Sequence, residues 1–207
     1  MKFPARLKLG SLCIEPATVL APMAGVTDRI RLGTAICLVP QRNPVYTAKA
    51  VTDLDNLSGG RVDFGVGIGW LREEFEAVAM PFEQRGARAD EHLAVMRSLW
   101  CDEVSEFHGA HYDLPACRMY PKPVQAPHPP IHVGGESDAA LRRVARHGQG
   151  WFTFGRVPAD VPEGLARLDA ALAAEHRTRA DVTVTLSPYF QPCGPAEVEA
   201  YRDAGVD

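Results

Sequence analysis

The sequence predicts an α/β fold built on a parallel β-sheet. Short apolar runs bounded by glycine and proline alternate along the chain with longer stretches that show helical periodicity. Alternating strands and helices joined by right-handed crossovers produce a parallel sheet, either doubly wound or closed as a barrel. Apolar residues make up 46% and charged residues 23% of the 207 residues, so the chain can bury a sizeable core.

Six runs are candidate strands and five stretches are candidate helices. The strands are predicted at 17–21, 31–38, 62–66, 131–134, 151–154 and 182–187. The helices are predicted at 44–57, 85–100, 136–148, 159–176 and 195–204. The helix at 44–57 has the clearest boundaries, because Asn43 and Pro44 form a cap and first turn and Ser58-Gly59-Gly60 ends it.

Residues 101–130 interrupt this alternation. Five of the ten residues in 121–130 are proline, and the preceding HGAHYDL segment is typical of a short hairpin. We therefore interpret 101–130 as an insertion within a single domain that spans residues 1–207.

Charge and cysteine content exclude several classes of protein. The net charge of −4 argues against a general nucleic-acid binder. The five cysteines form no CxxC pair or His/Cys cluster, which indicates a reducing compartment and no structural metal site. No apolar run has the length of a signal peptide core or a membrane span, so we expect a cytoplasmic protein without membrane contact.

The turn after the strand at 131–134 is the strongest candidate for ligand binding. Gly134, Gly135, Glu136 and Ser137 lie where a strand passes directly into a helix. Glycine lets backbone N–H groups approach an anion, Ser137 can donate a hydroxyl, and a helix N-terminus carries partial positive charge. The sequence is equally consistent with an ordinary β–α turn in which Ser137 is only the helix cap.

Two further strand ends carry small residues. Gly65, Gly67 and Gly69 leave little side-chain bulk on one face of a strand end, which suits either a flat ring or tight strand–helix packing. The run 33–40 is apolar with small residues at its centre, which fits a planar ligand or a buried parallel strand equally well. Among the seven histidines, only His132 lies within a strand beside a glycine turn.

A series of segments resembles the luciferase-like family of flavin- and deazaflavin-dependent oxidoreductases. The matching segments are RIRLGTAICLVPQRNPVYTAKAVTDLDNLSGGRVDFGVGIGW, RGARADEHLAVMRSLW, FHGAHYDL, MYPKPVQAPHPPIHVGGES and GQGWF, all within residues 29–207. The resemblance implies a TIM-type (β/α)8 barrel, here incomplete with about six parallel strands, and a cofactor that is FMN or coenzyme F-420, a deazaflavin.

The same resemblance implies the positions of cofactor contacts. Residues 134–137 match the family's phosphate-binding turn, and Gly67 and Gly69 match a loop beside the cofactor. Ala35 and Ile36 match a strand that in several members contains a non-prolyl cis peptide behind the flavin ring. The histidine that lies near the ring in such members has no counterpart here, so no catalytic residue is assigned.

Residues 1–28 resemble a different family, the tRNA-dihydrouridine synthases. The segment LKLGSLCIEPATVLAPMAGVTDR is similar to their opening strand, in which the positions of Ala21–Ala24 contact FMN. The cysteine loop of that family has no match here.

We therefore expect an oxidoreductase or monooxygenase that acts on a small organic molecule. The alternatives are a dihydrouridine-synthase-like FMN enzyme and a catalytically impaired flavin-binding fragment. Unpaired edges of an incomplete sheet favour a homodimer.

Overall fold

The structure is a computed structural model that describes residues 16–189 and 191–207. In chain order the helices are α1 (Pro16–Val26), α2 (Pro44–Ser58), α3 (Arg72–Ala77), α4 (Arg85–Cys101), α5 (Asp138–His147), α6 (Val161–Ala174) and α7 (Pro195–Asp203). The strands are β1 (Leu32–Gly33), β2 (Cys37–Leu38), β3 (Val62–Gly67), β4 (Ser105–His108), β5 (Asp113–Cys117), β6 (Ile131–Gly134), β7 (Gly150–Phe154) and β8 (Thr183–Ser187).

Six strand segments form a curled parallel sheet, which is half of a barrel. The strand order is β1-β3-β6-β7-β8, and β2 also pairs with β3. Leu32 of β1 lies opposite Val62 at the start of β3, whereas Leu38 of β2 lies opposite Gly67 at its end. Because β1 and β2 pair along the same neighbour, they are two parts of one interrupted strand, and the sheet has five strand positions.

The helices cover one face of this sheet. Val62, Phe64 and Val66 alternate along β3 and are buried, and the Phe64 ring meets the edge of Trp100 from α4 with centroids 6.1 Å apart. Strand geometry places Asp63 and the intervening glycines on the opposite, concave face. The apolar core therefore lies between sheet and helices.

One predicted strand is wrong. Residues 17–21 are helical within α1, so the strand end that the dihydrouridine-synthase resemblance implied for Ala21–Ala24 is helical too. Leu20 and Ala24, one helical turn apart, are buried in the core, and the Arg61 guanidinium donates hydrogen bonds to the carbonyls of Ala24 and Thr27 at 3.0 and 2.8 Å. Tertiary packing of α1 against α2 thus overrides the strand preference of a short β-branched run. Residues 1–15 of the same resemblance lie outside the described residues.

The other predicted elements are present, with the strand at 31–38 interrupted. The predicted hairpin is confirmed, because β4 and β5 pair antiparallel within the 101–130 segment. In the described part of the chain, no helix combines the length and the apolar character that crossing a membrane requires.

Candidate functional site

The residues predicted to contact a cofactor lie at the carboxyl edge of the sheet or, for Ala35 and Ile36, in the bulge beside it. In a parallel sheet the carboxyl ends of the strands meet at the same edge, which is where α/β folds bind ligands. The turns that follow β3 and β6 lie at this edge, and the segment between β1 and β2 lies beside the middle of β3, from which the Ile36 side chain reaches both turns. These segments carry Ala35, Ile36, Gly67, Gly69, Gly134, Gly135, Glu136 and Ser137.

A bulge at residues 34–36 separates β1 from β2. The Ala35–Ile36 peptide bond is cis, at the position that the family resemblance implied. The Thr34 hydroxyl donates a hydrogen bond to the Gly65 carbonyl oxygen at 2.6 Å. A Cβ at position 65 would lie 1.8 Å from the Thr34 carbonyl oxygen, so the bulge approaches β3 too closely for any residue but glycine.

The Ile36 side chain projects from the bulge across two strand ends. Its Cδ1 would lie 2.2 Å from a Cβ at position 67 and 2.8 Å from a Cβ at position 134. Gly67 and Gly134 therefore make room for Ile36, which agrees with the tight-packing interpretation of the glycine pattern. The Ile36 side chain is only partly buried, so it also presents an apolar surface at the edge.

The loop after β3 is held by a cation and two aromatic rings. Gly69 has φ of +75°, and its carbonyl accepts a hydrogen bond from Arg85 Nε at 3.0 Å. The Arg85 guanidinium lies 3.9 Å from the centroid of Phe82, which meets Phe75 edge to face. These contacts fix the backbone of the loop beside the bulge.

The turn between β6 and α5 leads directly from the strand into the helix, as the sequence predicted. Ser137 is exposed, and its Oγ accepts a hydrogen bond from the Ala140 N–H at 3.2 Å, so Ser137 is the helix cap. Gly135 has φ of +123°, which favours glycine. The Ser137 hydroxyl hydrogen stays free of the capping bond, so capping and donation to a ligand are compatible.

Glu136 is engaged by protein groups rather than presented to a ligand. Its carboxylate accepts hydrogen bonds from Thr153 Oγ1 at 2.5 Å and from the Arg156 guanidinium through both Nε, at 2.8 Å, and Nη2. The side chains of Glu136 and Arg156 are 29% and 16% exposed, so this is a half-buried ion pair. It joins the turn after β6 to the end of β7.

A second arginine lies against the same turn from α6. Arg167 Nη2 donates to the Glu136 carbonyl at 3.0 Å and to Asp138 Oδ1 at 2.6 Å. The hydrogen bond from Arg167 lowers the pKa of the Asp138 carboxyl. Sequence reasoning missed both arginines; the position of Arg156 directly after the strand end Phe154-Gly155 is a signal that points to it.

Two aromatic rings at neighbouring strand ends were also missed. Phe154 ends β7, and Tyr189 lies two residues beyond β8; their ring centroids are 5.9 Å apart at 39°. The two residues are 45% and 65% exposed, so they present an apolar surface at the carboxyl edge. Aromatic surfaces of this kind stack on flat ligands.

His132 lies deeper on the concave face, two residues before Gly134. Its Nε2 is 3.8 Å from Asp63 Oδ1, and Asp63 accepts hydrogen bonds from Arg31 Nε at 2.6 Å and Nη2 at 2.5 Å. Burial lowers the pKa of His132; Asp63 opposes this effect and Arg31 adds to it. His132 is therefore part of an ionic cluster toward the amino end of the strands. Between residues 16 and 207, leaving out Phe190, no group of side chains has the composition of a metal site.

The comparison with protein families decides the family. The family model of the luciferase-like monooxygenases matches residues 4–204, which includes most of the segment that resembles tRNA-dihydrouridine synthases. The chain belongs to the luciferase-like monooxygenase family. Members of the family with solved structures share its fold, so the half-barrel corresponds to part of their barrel.

The curated relatives of this luciferase-like chain are longer than the chain itself. An uncharacterised protein of Mycobacterium tuberculosis is 39% identical over 159 residues, which cover 77% of this chain and 54% of the relative. The FMNH2-dependent dimethylsulfone monooxygenase of Pseudomonas putida is 31% identical over 163 residues, 77% of this chain and 45% of that protein. The chain spans about half the length of the curated relatives it matches.

A solved structure shows the same fold at lower identity. The coenzyme F420-dependent tetrahydromethanopterin reductase from Methanopyrus kandleri superposes with a TM-score of 0.75 at 20% identity. The match covers 84% of this chain and 54% of the reductase. Half of a luciferase-like barrel is thus represented by the five strand positions described above.

Proposed function

We propose that this chain forms the cofactor-binding part of a flavin- or deazaflavin-dependent oxidoreductase of the monooxygenase type, acting on a small organic molecule. The observation that carries the proposal is that the Ile36 side chain, from the 34–36 bulge, meets the Gly67 strand end and the Gly134 end of the 134–137 turn. The FMNH2-dependent and coenzyme F420-dependent proteins that this chain resembles support the choice of cofactor.

The residues at this edge fit a ring that carries a phosphate. Ile36 and the Phe154–Tyr189 pair offer apolar surfaces for a flat ring, and the glycine-containing turn with its capped helix offers backbone donors for an anion. Arg156 and Arg167 bracket that turn, and each is paired with a carboxylate, so a phosphate would meet a site without excess positive charge.

This arrangement gives the cofactor and the protein different roles. FMN or a deazaflavin, when bound, supplies the electron or hydride transfer. The Thr34–Ile36 bulge would support the ring, the 134–137 turn would hold the phosphate with Ser137 as a donor and Gly135 leaving room for its approach, and Gly67 and Gly69 would shape the loop beside it. Among the described residues we assign no proton donor or acceptor, because His132 is paired with the Asp63–Arg31 cluster below the edge.

Cofactor titration tests the proposal directly. Purified protein should quench FMN fluorescence or shift the F420 absorbance with saturation in the micromolar range. Ser137→Ala removes a hydroxyl donor, and Gly135→Val places a side chain in a left-handed position 3.0 Å from the Ala140 Cβ, so both should weaken binding. Thr178→Ala is the matched control, since Thr178 caps a turn before β8 at the opposite edge.

The result that would overturn the proposal is equally direct. Absence of saturable binding of either cofactor at high micromolar concentration would exclude it. Unchanged affinity in Ser137→Ala and Gly135→Val would exclude the phosphate assignment.

The homodimer and the cytoplasmic location predicted from the sequence remain proposals. β8 lies at one side of the described sheet, and its Val184 already exchanges hydrogen bonds with Asp207, from the Val184 N–H to the Asp207 carboxylate and from the Asp207 N–H to the Val184 carbonyl. Sedimentation measures the first, and a purely monomeric species would contradict it.

A further inference from the structure

The indole of Trp151 holds the turn between β6 and α5 from behind. Trp151 is wholly buried in β7, and its Nε1 donates a hydrogen bond to the Gly135 carbonyl oxygen at 2.9 Å. We propose that Trp151 is a positioning residue that orients the Gly135–Glu136 peptide so that the Glu136 N–H faces a bound phosphate. The proposal rests on the function proposed above.

The orientation follows from peptide geometry. The Gly135–Glu136 peptide is trans, and in a trans peptide the C=O and the next N–H point in opposite directions. Because the carbonyl points to the buried indole, the Glu136 N–H points away from the core. Within residues 16–189 and 191–207, no acceptor takes this N–H in a hydrogen bond. It is a donor in the turn itself, one residue before the helix cap.

The neighbouring contacts keep the indole and the peptide in place. The Gly135 N–H donates to the Phe152 carbonyl at 3.4 Å, so both polar groups of Gly135 are tied to β7. A Cβ at position 164 would lie 2.9 Å from Trp151 Cη2, so Gly164 of α6 makes room for the ring. On another side, the Arg156 guanidinium lies 5.7 Å from the Trp151 ring centroid while it pairs with Glu136.

This orientation of the peptide favours ligands that carry a phosphate. A peptide free to rotate would present its carbonyl oxygen to a phosphate, and two acceptors repel each other. With the indole bond in place, the turn presents a donor instead. Losing the bond should therefore weaken ligands that carry a phosphate and leave phosphate-free ligands of the same ring unaffected.

FMN and riboflavin provide that comparison, because they share the isoalloxazine ring and differ in the phosphate. Trp151→Phe keeps an aromatic ring and removes the N–H donor. We expect its FMN affinity to fall by about three- to tenfold, the range for one lost hydrogen bond, with riboflavin affinity unchanged. Trp100→Phe is the matched control, since the buried Trp100 Nε1 donates to the Ala48 carbonyl at 3.1 Å, away from the edge. It should alter neither affinity.

Two results would overturn the inference. One is wild-type FMN affinity in Trp151→Phe, and the other is an equal loss of FMN and riboflavin affinity, which a purely structural role would produce. Failure of the wild-type protein to bind FMN, riboflavin and F420 would remove the proposed function instead.

A measurement on the wild-type protein tests the donor without any variant or flavin. Titration with inorganic phosphate should shift the Glu136 amide resonance in a ¹H–¹⁵N spectrum, with the Ala48 neighbourhood unchanged. A Glu136 amide that does not respond to phosphate would overturn the inference, whether or not Trp151→Phe folds.

Discussion

The side chain of Ile36 occupies the space that any side chain at position 67 would need. The distance from Ile36 Cδ1 to a Cβ built on Gly67 is 2.2 Å, well inside van der Waals contact. Ile36 therefore requires a glycine 31 positions later, because the bulge between β1 and β2 directs the Ile36 side chain over the end of β3.

This requirement predicts a rescue. Gly67→Ala should cost about 1–3 kcal/mol in the free energy of unfolding, as overpacking does. Adding Ile36→Ala should recover most of that loss, because the obstacle is a removable side chain, and the double variant should be more stable than the sum of the single effects. Urea unfolding measures all three proteins.

Gly65→Ala is the control for this cycle. Its Cβ would meet the Thr34 carbonyl oxygen at 1.8 Å, and Ile36→Ala leaves that backbone atom in place. Rescue of Gly65→Ala, or strict additivity at Gly67, would contradict the assignment of Ile36 as the obstacle.

The Glu136–Arg156 pair should contribute more to stability than an exposed pair. Glu136→Gln leaves the Arg156 side chain, 16% exposed, without its charged partner, and we expect a loss of about 1–3 kcal/mol. Glu175→Gln removes the partner of Arg146, whose side chain is 56% exposed, and should cost less than about 1 kcal/mol. Denaturant unfolding of the two variants decides; equal losses would show that burial of the pair adds nothing.

Glu91 on α4 holds the β4–β5 hairpin through its turn. Its carboxylate accepts backbone hydrogen bonds from Ala110, His111 and Tyr112 at 2.7–2.9 Å. Glu91→Ala should therefore speed amide hydrogen exchange at 110–112, with no change in the core strands. Glu106→Ala, on the same hairpin, is the control because Glu106 pairs with the exposed His108.

The same hydrogen bonds predict an acid limit for the hairpin. Burial raises the pKa of Glu91. The hydrogen bonds from the three backbone N–H groups lower it by more, so the pKa of Glu91 is lowered overall. A lowered folded-state pKa stabilises the protein above the ordinary value of about 4.3, and that contribution is lost as pH falls through the folded-state pKa. Protection at 110–112 that persisted after Glu91 protonation would contradict this account.

Buried and half-buried histidines should make the whole fold less stable in mild acid. Burial is the main cause that lowers the pKa of four of them, which are His92, His128, His132 and His147. Below about pH 6.5 the unfolded chain binds more protons than the folded one, so the free energy of unfolding should rise with pH through that interval. Unfolding curves between pH 5 and 7.5 are the measurement.

Two substitutions with opposite expected effects check the sign. His128→Gln should reduce the slope, because it removes one group that resists protonation when folded. His108→Gln should increase it, since hydrogen bonds that the His108 ring donates to the Asp113 and Glu106 carboxylates raise the pKa of His108, and that contribution is present in acid and lost as pH rises. Identical slopes in all three proteins would contradict the assignment.

Local signals explain why most elements were predictable from the sequence. Asn43 Oδ1 accepts hydrogen bonds from the N–H groups of Val45 and Tyr46, and Gly59 takes the left-handed conformation that ends α2. These are contacts between near neighbours in the chain, so the sequence by itself determined where α2 begins and ends. The family resemblance, which extends over long stretches of sequence, predicted the cis Ala35–Ile36 peptide bond and pointed to the turn at 134–137.

What only the tertiary structure decided is how residues far apart meet. The segment 17–21 has strand-like composition, yet packing on α2 and the Arg61 hydrogen bonds make it helical. Glu136 looked like a ligand contact beside two glycines, but the register of β6 and β7 brings Arg156, 20 residues later, against its carboxylate. Pairings of this kind depend on which strands are neighbours and on strand register, which no short stretch of sequence specifies. The sequence therefore indicated the position of the candidate site along the chain, and the sheet decided which of its side chains are engaged by the protein itself.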